Sequence, residues 1–124
     1  MTKYEGTKLA DFTPIDNVTE LQIIDIELGT GAEVQPGDKI TAHYTGALCK
    51  NGTIFQSSHD FGNAVTFSLD EVIAGWTKGV PGMKVGGMRR LIIPSEMAYG
   101  SVRAASNIPP NSDLVFDIEL VDIK

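Results

Sequence analysis

Aromatic residues, histidine and cysteine are all scarce in this chain of 124 residues. Aromatics make up 7%, with one tryptophan, and there are two histidines and one cysteine. Each scarcity excludes something. A single thiol, Cys49, cannot close an internal disulfide, which fits a reducing compartment and a cytoplasmic protein. His43 and His59 have no partners at metal-ligand spacing, so neither a metal nor a cofactor is expected. Lys and Arg number 10 against 16 Asp and Glu, a net charge of −6. That removes the basic stripe nucleic acid requires. The nearest candidate, Lys84 with Arg89 and Arg90, reads as a solvated face. No apolar run approaches the roughly 18 residues that span a bilayer, and Met1 to Lys8 lack the apolar segment of a secretory signal. Cys49 has no base near it in sequence, and neither Lys78 nor Lys84 stands in a phosphate-loop context. Adjacent Asp70 and Glu71 are explained by a helix dipole rather than by paired acid–base chemistry.

What is present suits one soluble domain. Apolar residues make up 42% and charged residues 21%, and the length is enough for a core without covalent staples. No long apolar surface segment calls for a partner subunit, so a monomer is expected. Residues 1–20 read as an N-terminal extension without a sustained period, although Phe12 and Ile15 could dock on the domain formed by residues 21–124. From Leu21 the pattern alternates. Ile24, Ile26 and Leu28 with Asp25 and Glu27 predict a half-buried strand, and Ile40, Ala42 and Tyr44 with Thr41 and His43 predict a second. Asn51-Gly52 predicts a type I′ hairpin into a strand over 53–57. The same asparagine heads one of two glycosylation sequons, Asn51-Gly52-Thr53 and Asn17-Val18-Thr19, both read as accidents of composition. Val65–Ser68 is a fourth strand. Ser68-Leu69-Asp70-Glu71 has the spacing of a capping box that opens a short helix, closed by Gly79 and Pro81-Gly82. Met88–Ile93 and Leu114–Leu120 complete five to six strands. Alternation with polar partners predicts an antiparallel sheet, wet on one side and covered by the helix on the other, hence α+β.

Several segments carry aromatic or proline residues that can line one apolar pocket: Val72-Ile73-Ala74-Gly75-Trp76, Ala98-Tyr99-Gly100, Ile108-Pro109-Pro110 and Leu114-Val115-Phe116-Asp117. Each has a plainer reading. A lone Trp is usually core, Tyr99 can close a loop, Pro109-Pro110 is a stiff turn, and Phe116 faces inward on its strand. Taken with His43-Tyr44-Thr45-Gly46, Gly52-Thr53-Ile54-Phe55, Gly82 to Gly86 and Ile93-Pro94, their order and spacing resemble the FKBP-type peptidyl-prolyl isomerases from about Leu21 to the end of the chain.

The resemblance implies an antiparallel sheet curled around one short α-helix, with a shallow pocket between them for a proline ring. It implies Trp76 as floor, Tyr44, Phe55 and Phe116 as walls, and Val72, Ile73 and Ile108 beside them. The N–H of Ile73 and the hydroxyl of Tyr99 would donate to substrate carbonyls. It implies proline-containing peptides and unfolded proteins as partners, with macrolides such as tacrolimus or rapamycin bound more weakly than usual. The reason is local. Gln56 replaces a frequent acid, Phe61 a frequent arginine and Val65 a wall phenylalanine, while Ala104 and Asn107 stand where bulkier residues are common. Phe61 is expected to turn inward and cover the space left by Val65, with Gln56 as a neutral polar contact at the rim. An isomerase that assists folding is the first reading, and a proline-binding interaction module with little turnover is the alternative.

Overall fold

The computed structural model describes residues 4–101 and 107–124; the expectation placed on Ala104 lies outside them. Six strands form one antiparallel sheet: β1 (Gln22–Glu27), β2 (Lys39–Leu48), β3 (Ile54–Ser57), β4 (Val65–Ser68), β5 (Met88–Ile93) and β6 (Leu114–Ile123). Their spatial order is β1-β5-β6-β2-β3, with β4 pairing the other end of β2. The sheet is open, and α1 (Ala74–Gly79), the one α-helix among the described residues, packs against β5. The central pair is β2 with β6, running from Ile40 opposite Ile123 to Leu48 opposite Leu114 with one register shift between Thr41 and Ala42, where Val121 is passed over.

Alternation on the central strands does what the sequence requires. Ile40, Ala42 and Tyr44 on β2 and Phe116, Ile118 and Leu120 on β6 are buried in the principal core, with Trp76, Val80, Leu91 and Ile93. The helix approaches β5 closely because two helical glycines lie against it. A Cβ at Gly75 would fall 2.6 Å from Ile93, and one at Gly79 2.8 Å from Leu91.

Five expectations change. The capping box does not open the helix. Ser68 still pairs with Lys39 at the end of β4, Leu69 N–H donates to Asp38, and α1 begins only after Ile73, without a side-chain cap. The 49–52 turn is not type I′. Only Gly52 has positive φ, 74°, while Asn51 Oδ1 accepts from Thr53 N–H. β1 is exposed along its whole length rather than half-buried, because it is an edge strand partnered only by β5.

Arg89 and Arg90 are not a solvated face. Neighbours on a strand point to opposite sides, and each finds its own carboxylate. Arg89 bonds Asp25 and the carbonyls of Gly79 and Pro81. Arg90 holds Asp117 through two bonds of 2.7 and 2.9 Å. The Asp117 bond holds the guanidinium above its usual pKa, against the opposing pull of burial.

Nor is the outer face simply wet. Residues from Tyr4 onward lie along it. Gly6 N–H donates to Ile54, Ile54 N–H to Thr7, Leu9 N–H to Gly52 and Ile15 N–H to Cys49. Leu9 and Val18 are buried in a second apolar cluster with Ala47, Cys49, Ile54, Ile92 and Val115, and Phe12 and Ile15 pack against it. Arg90 donates to the carbonyls of Ala10 and Asp11 and lies over the Phe12 ring.

Candidate active site

Between α1, β2, β3, β4 and the 99–100 turn lies a cavity of about 290 Å³. It is lined by Tyr44, Phe55, Gln56, Phe67, Glu71, Val72, Ile73, Trp76, Tyr99 and Phe116. Three kinds of element build it. The antiparallel centre supplies Tyr44 and Phe116, the turn ahead of the helix supplies Val72 and Ile73, and the first turn of the helix supplies Trp76. The rings meet edge to face, the arrangement aromatic quadrupoles favour. Trp76 lies 5.4 Å from Phe116, 5.8 Å from Tyr44 and 5.0 Å from Phe67 between ring centroids. Phe55 meets Phe116 at 5.7 Å. Space for that contact comes from Gly46, where a Cβ would fall 2.6 Å from the Phe55 ring and 2.7 Å from the Phe116 ring.

The polar groups are few. Trp76 is 4% exposed and its Nε1–H is buried without a hydrogen-bond partner among the described residues. Such an orphan donor carries a desolvation cost and calls for an explanation at a site. The Ile73 N–H has no acceptor among the described residues, while its carbonyl accepts from Trp76 and Thr77 in the first turn of α1. Tyr99 is 41% exposed at the mouth. Burial pushes the Tyr44 phenol above its ordinary pKa, and the neighbouring Tyr99 adds to the shift. Tyr44 is anchored from behind, since its N–H donates to Ser58 Oγ at 2.8 Å. The same hydroxyl bonds His43, which stacks on His59 at 4.3 Å, and His59 bonds Glu119. Among the described residues no group of three or more His, Cys, Asp or Glu is placed to hold a metal ion.

Eight residues named from sequence therefore line one cavity: Tyr44, Phe55, Gln56, Val72, Ile73, Trp76, Tyr99 and Phe116. Three do not. Ile108 is buried in the principal core at 6% exposure and is not among the residues lining the cavity. Val65 is half-buried and packs on the core, opposite Ala42, without reaching the cavity wall. Phe61 is 58% exposed, so the inward turn expected for it does not occur. Its N–H bonds Ser58 in a turn of 3₁₀-helix (Ser58–Asp60), and Gly62 follows at φ 80°. That turn is tied to the outer side of the sheet, by His59 to Glu119 and by Asp60 accepting from Tyr4 and Glu5, which carries Phe61 away from the pocket.

Two lining residues were missed, Phe67 and Glu71. Phe67 was readable in principle, two positions beyond Val65 on the same face of the same strand. A larger depression of about 320 Å³ sits at the margin of the N-terminal segment, with a mixed wall of Ile15, Leu48, Pro109 and Pro110 beside Asp16, Lys50, Asn51, Asn111, Ser112 and Asp113. No aromatic ring lines it, in contrast to the cavity over Trp76.

Comparison with known proteins agrees with this geometry. Residues 30–121 match the model of the FKBP-type peptidyl-prolyl cis-trans isomerase family. The chain is 51% identical over 94 residues to peptidyl-prolyl cis-trans isomerase FPR2 of Saccharomyces cerevisiae, covering 74% of this chain and 70% of that protein. It is 48% identical over 105 residues to an FK506-binding protein of Neisseria meningitidis, covering 83% of this chain and 95% of the other. Among solved structures, AtFKBP13 superposes with a TM-score of 0.74 at 40% identity, over 84% of this chain and 93% of that one. FkpA from Escherichia coli gives 0.76 at 39% identity, over 89% of this chain, which spans about half (53%) of FkpA. A family match over most of the chain, relatives at about half identity across most of their length and an aromatic cavity at the matched motifs lead to one conclusion: the chain belongs to the FKBP-type peptidyl-prolyl cis-trans isomerases.

Proposed function

We propose that the chain turns Xaa-Pro peptide bonds in the cavity over Trp76, and that it does so as a monomer on proline-containing peptides and unfolded proteins in a reducing, cytoplasmic setting. The observation that carries this reading is a cavity lined mainly by rings and aliphatic side chains, with few polar groups at its mouth. Rotating an amide costs about 18–20 kcal/mol because resonance is lost in the twisted form. The planar amide is the more polar state, so water favours it. A proline ring seated on Trp76 between Tyr44, Phe55 and Phe116 leaves that water behind, and solvent substitution then favours the twisted form. Donors aimed at the rotating carbonyl add to this. Ile73 N–H and the Tyr99 hydroxyl take that role, with Val72 beside the ring and Gln56 at the rim. A barrier lower by about 4 kcal/mol gives about a thousandfold acceleration without any covalent step. Cys49 takes no part. It is fully buried, and burial, with a smaller contribution from Asp113, pushes its thiol up to about 12. A protease-free isomerisation assay on a short Xaa-Pro peptide tests the reading. Catalysis insensitive to chelators is expected, and binding without turnover would leave an interaction module instead.

Macrolides fit the same walls. The relatives named FK506-binding proteins bind such a ligand by name, and for this chain we propose binding weakened by the neutral Gln56. Rapamycin titrated against Trp76 fluorescence should bind Gln56→Asp more tightly than the parent. Equal affinities would remove the acceptor argument.

A further inference from the structure

The strand that carries Phe55 is irregular at that residue. Gly46 faces Gln56 and Ala47 faces Ile54, so Phe55 has no opposite number on β2. An extra residue of this kind bends a strand and re-aims its side chain. Here the re-aimed ring is a wall of the cavity, fitted into the space over Gly46. The next residue toward the N-terminus is tied the other way, since both the N–H and the carbonyl of Ile54 bond the N-terminal segment. The carbonyl of Phe55 itself is claimed from elsewhere in the chain. Asn107 Nδ2 donates to it at 2.9 Å, across 52 positions of sequence. Asn107 is exposed and does not line the cavity, but the residue after it, Ile108, is buried in the core. The 107–108 segment is thus pinned by one apolar side chain and one amide, and the amide ends on the bulge.

We propose that Asn107 is a positioning residue for the isomerase pocket: its side-chain amide holds the bulge at Phe55 and so sets the wall against which a proline ring packs. The proposal rests on the isomerase reading. It depends on a donor, which separates it from a packing role. Ala and Asp both lack that donor, and Asp would bring a carboxylate against a carbonyl. Gln keeps the donor with one more methylene.

The test is steady-state isomerisation of a short Xaa-Pro peptide by the parent, N107A, N107D and N107Q, with thermal melts of each. N107A should lower kcat/KM about two- to tenfold, the range of one lost hydrogen bond. N107D should lose at least as much, N107Q should recover most of it, and all should melt within about 4 °C of the parent. Parental turnover in N107A and N107D would overturn the proposal, as would a loss that follows the melting temperature and is not restored by Gln. Should the parent itself show no turnover, the isomerase reading fails separately. The bulge is then tested by proline-peptide binding read from Trp76 fluorescence, where unchanged affinity in N107A would again overturn it.

Discussion

Both faces of the sheet carry apolar residues at their centre, but the chain treats them differently. On the inner face, five rings (Tyr44, Phe55, Phe67, Trp76 and Phe116) meet edge to face and leave a cavity of about 290 Å³. On the outer face, Leu9 and Val18 from the N-terminal segment close over Ala47, Cys49, Ile54, Ile92 and Val115. Small aliphatic side chains interdigitate to crystal-like density. Rigid planar rings held apart by edge contacts, over a glycine where a side chain would stand, do not fill their space. The inner face keeps a cavity, whereas the centre of the outer face is covered by the chain's own N-terminal segment. Damage to the two faces should therefore separate function from stability.

The largest effect should come from removing the floor of the inner face. In Trp76→Leu an apolar residue stays in the core, so the chain should still fold, with a loss of about 2–4 kcal/mol. Turnover should fall by about two orders of magnitude, roughly 3 kcal/mol of barrier. Urea melts and peptide kinetics on the same samples check both numbers. A variant that melts early but isomerises normally would mean that Trp76 is core and nothing more.

The outer face predicts the reverse. A chain beginning at Asn17 loses Leu9, Phe12 and the backbone bonds from Gly6 and Leu9. It should lose about 2–4 kcal/mol of stability and keep its kcat/KM per folded molecule. Cys49 gives an independent readout. Its thiol is neutral and sealed in the folded chain, pushed up from 9.0 to about 12, so alkylation at pH 8 should be slow in the full chain and faster in the shortened one. The sign follows from linkage. A thiol harder to ionise when folded supports the fold below about pH 9, and that support is lost as pH rises toward 12. Loss of activity in folded, shortened protein would join the two faces and break the comparison.

How much of this was legible in sequence depended on how local each cause is. The alternation of Leu114 to Leu120 was legible because inner and outer positions alternate residue by residue. The cavity was legible through motifs whose residues reach it directly, Val72 to Trp76 above all. Misread features have causes far away in the chain. Arg89 and Arg90 are paired with the carboxylates of Asp25 and Asp117, and no local pattern announces either partner. Ser68 has the look of a cap, but its strand is held by Lys39 on β2. The docking of the N-terminal segment depends on a surface assembled from β2, β3, β5 and β6, and a segment without periodicity does not advertise such a surface.

A smaller effect is expected at the mouth of the inner face. In Tyr99→Phe the ring remains and the hydroxyl goes. With the side chain 41% exposed, stability should stay within about 0.5 kcal/mol of the parent. Turnover should fall about two- to tenfold, the range of one lost hydrogen bond. A fall in kcat with KM unchanged would mark a bond made mainly in the transition state, and a rise in KM alone would mark uniform binding.

The smallest effect is predicted at Phe61, a phenylalanine that belongs to neither face. It is 58% exposed, its backbone continues the Ser58–Asp60 turn, and its side chain is absent from the cavity wall and from both apolar clusters. A ring this exposed and outside both cores contributes little, so Phe61→Ala should change stability by less than about 0.5 kcal/mol. Peptide turnover and the emission maximum of Trp76 should match the parent within error. The same substitution tests where the dryness of the pocket comes from. Were Phe61 to fold over the cavity when a proline peptide is bound, its loss would raise KM and shift the Trp76 emission of the complex to the red, while the free protein stayed unchanged. Parental values in both states mean that the rings of Tyr44, Phe55, Phe67 and Phe116 exclude water by themselves, and that the charge pattern at positions 56 and 61 matters only at the rim, through Gln56.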